Sequence, residues 1–261
     1  MKVSYISNYS FFKDENLTLA LGFFDGFHKG HMEVLKKALE VSKLSNTIPS
    51  ILTFNESVYD FLNGIKPKKL LSTNDKIDLS EKLGFENIYI IDLSYEFINL
   101  SHIDFYNVFL KKQKNLVMGF DYHFGKNKEG SISYLKENFN GNLFVVDEAL
   151  INNTKIGTSQ IKEFLSNGDV ENANLYLDRN YFINGKLYKQ NKFLAFNTFD
   201  SFIPRNGEYK LLIHLDEIVE LETKIKKLDD ESGFVIKSLD ERLINFKIDK
   251  NKFYKIEFLS N

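Results

Sequence analysis

Short apolar runs alternate with amphipathic stretches through the first part of the chain. The runs at 17–22, 50–54, 87–91, 115–119 and 142–146 are bounded by turn residues and predict buried strands. Between them, apolar residues recur at helical spacing over 31–44, 73–83, 102–113 and 131–139. The second of these opens with Ser72-Thr-Asn-Asp75 as a cap and stops at Gly84. This alternation predicts an α/β unit with a Rossmann-like parallel sheet and helices on both faces. From residue 181 the pattern changes. Segments 185–189, 193–197, 209–214, 233–237, 243–247 and 253–258 read as short strands joined by polar turns, which predicts a smaller all-β barrel. The boundary is expected within 179–185, dividing 1–184 from 185–261. Pro67-Lys-Lys69 interrupts the stretch between a strand and a helix and is expected to form a mobile loop with solvated lysines.

In a parallel sheet of this kind ligands sit at the carboxyl ends of the strands, where residues 22–31 and 119–126 both fall. The first of these reads GFFDGFHKGH, between an apolar run and a helical pattern. It turns through Gly26 and presents His28 and His31, three residues apart, where backbone N–H groups at a helix start already point outward. That arrangement suits a phosphate. Gly30 leaves room for a phosphate near the backbone, and Asp25 is expected to cap the turn. A glycine-rich strand-to-helix turn carries little alone, and His-x-x-His also serves in metal sites. No third His, Cys or acidic pair stands nearby at ligand spacing, so metal ligands stay unassigned.

The absence of cysteine excludes a disulfide framework and a cysteine metal site. With 34 Lys and Arg against 36 Asp and Glu the net charge is −2, and charge is balanced on both sides of residue 184. Neither part is built for nucleic acid or an acidic membrane surface. The N-terminal residues lack the apolar core of a signal peptide and no run approaches a membrane span, so a cytoplasmic protein is expected. Nothing in the sequence sets the oligomeric state.

The GFFDGFHKGH segment resembles the nucleotide-binding motif of the His-x-Gly-His nucleotidyltransferase superfamily, in the form of the bacterial bifunctional riboflavin kinase/FAD synthetase family. Residues 117–126, VMGFDYHFGK, are similar to that family's Gly-x-Asp/Asn-x-x-Phe-Gly segment. Residues 156–162, IGTSQIK, are similar to its Ser-Ser-Thr-x-Ile-Arg segment, and 167–174, NGDVENAN, to its Gly-Asp-Val-x-x-Ala-Asn run. The resemblance covers residues 15 to 185. It implies transfer of AMP from ATP to FMN, giving FAD and pyrophosphate, with Mg²⁺ accompanying ATP. It further implies His28, His31 and Lys162 as catalytic, with Gly22, Phe23, Phe24, Asp25, Gly26, Gly30, Thr158 and Ser159 on ATP and Asp121, Phe124 and Asp169 on the flavin. Lys162 stands where the family has arginine, keeping the charge but losing the bidentate fork. Asp169 is also a good helix N-cap, and aromatic residues at a strand end are commonly core.

Over the barrel the resemblance fades. Residues 191–200, NKFLAFNTFD, occupy the place of the family's glycines and Phe-Pro-Thr-Ala-Asn. Phe196 and Thr198 match, while Asn197, Phe199 and Asp200 replace a proline, a small residue and an asparagine. A carboxylate near ATP adds repulsion unless Mg²⁺ offsets it. No counterpart of the kinase glutamate is found, and the chain stops where the family continues into a terminal helix. The resemblance thus implies a FAD synthetase with weak or lost riboflavin kinase activity, and predicts that a chain ending near Asn184 keeps FAD synthesis if it still folds. A fully bifunctional enzyme, a related transferase with another acceptor and a non-catalytic nucleotide or flavin binder are the alternatives.

Overall fold

The computed structural model describes residues 1–7, 12–66, 68–151, 154–198, 200–230 and 232–260. They form two compact units, Met1–Pro67 with Thr73–Lys155, and Lys68–Ser72 with Ile156–Asn261.

The first unit is built on six strands, β1 (Lys2–Ile6), β2 (Thr18–Leu21), β3 (Pro49–Phe54), β4 (Asn87–Ile91), β5 (Asn115–Gly119) and β6 (Asn142–Val146). All pair in parallel, in the order β1-β4-β3-β2-β5-β6. Central strands such as β2 and β4 are buried along their whole length, as both faces of a parallel sheet must be. Leu19, Leu21, Leu116 and Met118 join one apolar cluster with Phe97, Phe105, Phe109 and Leu135. The alternate residues Ala20, Ile51 and Val117 are equally buried, and α1 (Lys29–Ser45) packs against β2, β3 and β5. The chain leaves β2 toward β3 on one side, while β5 lies on the other. The carboxyl ends of β2 and β5 therefore flank the switch point of the sheet, where a crevice opens.

Helices α2 (Val58–Asn63), α3 (Thr73–Leu83), α4 (Tyr95–Ile98), α5 (His102–Phe105) and α6 (Ile132–Asn138) complete this unit. The helix expected over 102–113 is α5 followed by a π-helical turn over Tyr106–Leu110. Strand β1 was not foreseen. It is an edge strand with Val3 and Tyr5 partly exposed, so it lacks the continuous apolar run that marks the others.

The second unit is a closed antiparallel barrel joined by α7 (Thr158–Asn167) and α8 (Val170–Leu177). Its strands are β7 (Tyr181–Gln190), β8 (Phe193–Asn197), β9 (Gly207–His214), β10 (Ile218–Lys227), β11 (Gly233–Ile236) and β12 (Tyr254–Phe258), closing in the order β7-β8-β11-β10-β9-β12. Phe196, Phe234 and Phe258 fill the interior and are wholly buried. Strand β10 escapes a reading by apolar runs because its inward Val219, Thr223 and Ile225 alternate with charged residues. Residues 243–247 are not a strand. Asp240 accepts from Arg242 N and starts α9 (Glu241–Ile244), and the Lys189 ammonium donates to the terminal carbonyls of Leu243 and Ile244.

Two expectations about organisation change. The compact units do not part at 184/185: β7 runs through that point, and Asn174 of α8 accepts from Tyr181 N at 2.6 Å while donating to Phe258 O at 2.9 Å. Lys68–Ser72 is also no solvated loop. Lys69 N donates to Asp200 O, Phe202 N donates to Lys69 O, and the Lys69 ammonium lies 2.9 Å from the Asp200 carboxylate. Leu70 and Leu71 are each 1% exposed. The Asp200 charge is thus met by a lysine. Pro67 and Phe199 lie outside the described residues.

A chain ending at Asn184 would remove β12 and leave the Asn174 amide and the buried face of α8 in water. Such a fragment is expected to lack hydrogen-exchange protection across 158–177, so the condition that it still folds is not met. Full-length protection of α7 and α8 in the fragment would contradict this packing.

Candidate active site

The segment after β2 folds back tightly because of Gly22. A Cβ there would stand 2.9 Å from the Phe24 ring, so only glycine lets the ring lie against the chain. Phe24 (φ 52°), Gly26 (φ 91°) and Phe27 (φ 43°) all take left-handed backbone. That suits glycine and strains phenylalanine. Both phenylalanines are 1% exposed, with their rings edge to face at 6.2 Å, and this burial holds the strained turn. Phe24, expected on ATP, packs as a wedge of the core. Asp25 is buried within the same turn.

The turn delivers His28 as the N-cap of α1, which starts at Lys29, two residues before its expected start. Its Nδ1 accepts from His31 N at 3.3 Å. An accepting Nδ1 carries no proton, so the proton sits on Nε2 and makes that atom a donor. The two imidazoles stack at 3.6 Å with 19° between planes, and Phe24 meets His31 edge to face at 5.4 Å. No acidic residue occupies the first turn of α1, and the positive end of this 17-residue helix favours an anion. Gly30 serves this geometry sterically: a Cβ there would lie 3.3 Å from His28 Cε1 and 3.6 Å from Ala149 Cβ.

The same unit holds an apolar cavity of about 590 Å³, within the range of small-molecule sites. Phe54, Leu62, Phe97, Phe105, Tyr122 and Phe124 line it, with Asn99, His123, Lys126, Asn127 and Lys128 as polar members. Burial pushes the Tyr122 phenol well above its usual range, so it stays neutral. Phe124, expected at the flavin, lies in this wall. Asp121 does not: it forms a surface ion pair with Lys155 at 2.9 Å, and the Asp121 carboxylate holds that ammonium above its ordinary value. Most of the apolar lining comes from the end of β3 and from the short helices α2, α4 and α5, and no local motif marks the cavity residues outside 117–126.

Lys76 on α3 was also not foreseen. Its side chain is buried, and its ammonium donates to Phe23 O at 2.8 Å, Thr53 Oγ1 at 3.2 Å and Phe54 O at 3.3 Å. A lysine in a charged helical stretch gives no sign of burial.

In the second unit, Thr158 and Ser159 occupy the first turn of α7, where Gly157 at the N-cap offers the N–H groups no side chain. Lys162 follows Thr158 by four residues and shares its face. Asp169 is the N-cap of α8, accepting from Asn172 N at 3.1 Å and from the Asn172 amide at 2.7 Å. Its carboxylate thus serves its own helix. Among the described residues no group of three or more His, Cys, Asp or Glu is placed to hold a metal ion, and no helix is long and apolar enough to cross a membrane.

Residues 12–160 match the FAD synthetase family. The chain belongs to that family. Its relatives include the bifunctional riboflavin kinase/FMN adenylyltransferase of Listeria monocytogenes, 31% identical over 212 residues, 75% of this chain and 67% of that one. The protein of the same name from Bacillus subtilis is 34% identical over 174 residues, 64% of this chain and 55% of that one. The chain thus spans between 55% and 67% of the length of these two relatives. The crystal structure of a macrolide-efflux protein from Streptococcus pneumoniae shares the fold, with a TM-score of 0.85 at 23% identity, covering 100% of this chain and 90% of that one. Family and relatives together mark a nucleotidyltransferase, and the barrel fits the riboflavin kinase-like domain.

The Gly30 contact is testable. Gly30→Ala is expected to keep or raise thermal stability, since alanine favours a helix by about 1 kcal/mol over glycine. It should weaken ATP binding in a calorimetric titration by pushing the His28 ring aside. Unchanged ATP affinity would show that the ring position does not matter.

Proposed function

We propose that the protein transfers the AMP moiety of ATP to FMN, giving FAD and pyrophosphate. The observation that carries this reading is a stacked histidine pair at a helix start on the carboxyl edge of the sheet, in the same unit as an aromatic-lined cavity. The cavity suits a flat ring system such as isoalloxazine, and the helix start suits phosphate.

A phosphate oxygen of FMN attacks the α-phosphorus in line. The bond from that phosphorus to the bridging oxygen breaks, and pyrophosphate leaves with the electron pair. Charge grows on the non-bridging and leaving oxygens, so the protein acts mainly by positioning and preorganised donors. In this reading His28 donates through Nε2–H, joined by His31 and the first N–H groups of α1. Gly22, Phe23, Asp25 and Gly26 shape the backbone around the nucleotide, with Phe24 wedged behind it. Thr158, Ser159 and Lys162 take phosphate at the start of α7. Phe124 contacts the flavin ring. Mg²⁺ enters bound to the ATP phosphates, as part of the substrate, and neutralises their charge.

The barrel in this reading phosphorylates riboflavin slowly or not at all. Two observations support that: Asp200 is engaged by Lys69, and three phenylalanines fill the barrel interior.

Incubation with ATP, Mg²⁺ and either FMN or riboflavin, followed by chromatographic separation, tests both parts. FAD is expected from FMN, and little FMN from riboflavin. No FAD at saturating substrate would refute the transferase, and rapid FMN formation would show a working kinase. His28→Ala and His31→Ala should each lower turnover by about 10²-fold or more, as when an oxyanion donor is lost. Near-normal turnover in both would remove the histidines from the chemistry.

A further inference from the structure

Lys76 is 4% exposed, and a buried ammonium costs several kcal/mol of desolvation unless its protons find acceptors. Here they do. The last β2–β3 register pair is Leu21 with Leu52, after which β2 departs into the nucleotide loop and the strands offer each other no further register partners. The Phe23 and Phe54 carbonyls lie beyond that point, and the Lys76 ammonium bridges them. Thr53 joins as a relay: its hydroxyl accepts from Lys76 and donates to Phe23 O at 2.8 Å. The ammonium also lies 4.8 Å from the centre of the Phe23 ring, within reach of a cation–π attraction.

The two strand ends joined this way have different duties. Phe23 begins the turn that delivers His28, and Phe54 is a wall of the aromatic cavity. We propose that Lys76 is a positioning residue for adenylyl transfer, clamping the nucleotide loop to the cavity wall so that the phosphate donors and the flavin ring are held in register. The proposal rests on the FAD synthetase reading. A lysine that only stabilised the fold could take its acceptors anywhere, whereas this one takes them from two separate segments that in this reading face the substrates. One that positions the loop is required in the transition state, where misplacement by an ångström costs up to about 10²-fold in rate.

The test uses the full-length chain, whose lack of cysteine allows a single chemical handle. Lys76→Cys is alkylated in denaturant either with bromoethylamine, which restores an ammonium at nearly the lysine length, or with iodoacetamide, which leaves a neutral amide. Both products are refolded beside wild type treated identically. Lys76→Met and Thr53→Val are assayed without chemistry, the latter removing the relay while keeping the charge. All are compared below their melting temperatures, per folded molecule. The expected result is a fall in kcat of roughly 10- to 100-fold for Lys76→Met and the amide adduct, with KM for ATP changed by less than about threefold. The aminoethyl adduct should recover most of the loss, and Thr53→Val should show a smaller fall in kcat. The proposal is overturned if the amide adduct recovers as much as the aminoethyl adduct, or if Lys76→Met or Thr53→Val lowers the melting temperature with kcat unchanged. Should Lys76→Met fail to fold, the two adducts and Thr53→Val decide by the same criteria. A wild type that forms no FAD would overturn the functional reading as well, which separates the two failures.

Discussion

The packing of Phe24 and Phe27 beneath the loop after β2 is the interaction on which the candidate site depends. Each takes a left-handed backbone that costs a bulky residue about 1–3 kcal/mol. Burying each ring returns about 1.5–3 kcal/mol, and their edge-to-face pairing about 0.5–1.5 kcal/mol more. Over the two residues the gains exceed the strain by only about 1–2 kcal/mol. The turn is further fixed at its ends, by Gly22 making room for the ring, by His28 capping α1 and by Lys76 gripping the carbonyl of Phe23. Small losses at any of these positions act on one geometry.

That geometry links fold to chemistry directly. An imidazole that spends Nδ1 on a helix cap has its remaining proton committed to Nε2, so the same bond that starts the helix sets the polarity of the donor. The stacked His31 limits where the His28 ring can turn, and Gly30 keeps the opposite side clear. The second unit shows a comparable economy. Asp200, in a segment that departs from the family's kinase pattern, is tied to Lys69 through both side chain and backbone, and the strap carrying Lys69 buries Leu70 and Leu71. A residue that would repel a nucleotide instead anchors a piece of chain.

Much of this was legible in the sequence, for physical reasons. The runs 87–91, 115–119 and 142–146 give strands with those same bounds; the first two are apolar because a parallel strand covered on both faces must be, while 142–146 is an edge strand with no fully buried residue. GFFDGFHKGH locates the site because strand, turn and helix start are contiguous. Edge strand β1 and strand β10 were not legible, since alternation with exposed polar residues mimics surface chain. Nor was the cavity: Phe54, Phe97 and Phe105 meet only through tertiary packing, and each is an ordinary core residue in its own segment. Lys76 and Lys69 are the instructive cases, because a lysine's sequence neighbours do not reveal whether carbonyls or a carboxylate await it.

The account turns on His28 as a neutral cap that offers Nε2–H to a nucleotide phosphate. Nitrogen-15 NMR of protein labelled in its histidine rings tests this most directly. The account predicts an unprotonated, hydrogen-bonded Nδ1 and a protonated Nε2 for His28 in the free protein. On titration with ATP the His28 and His31 signals should move, while His214, tied to Glu257 in the barrel, stays in place. A proton on His28 Nδ1, together with imidazole signals unmoved at saturating ATP, would contradict it.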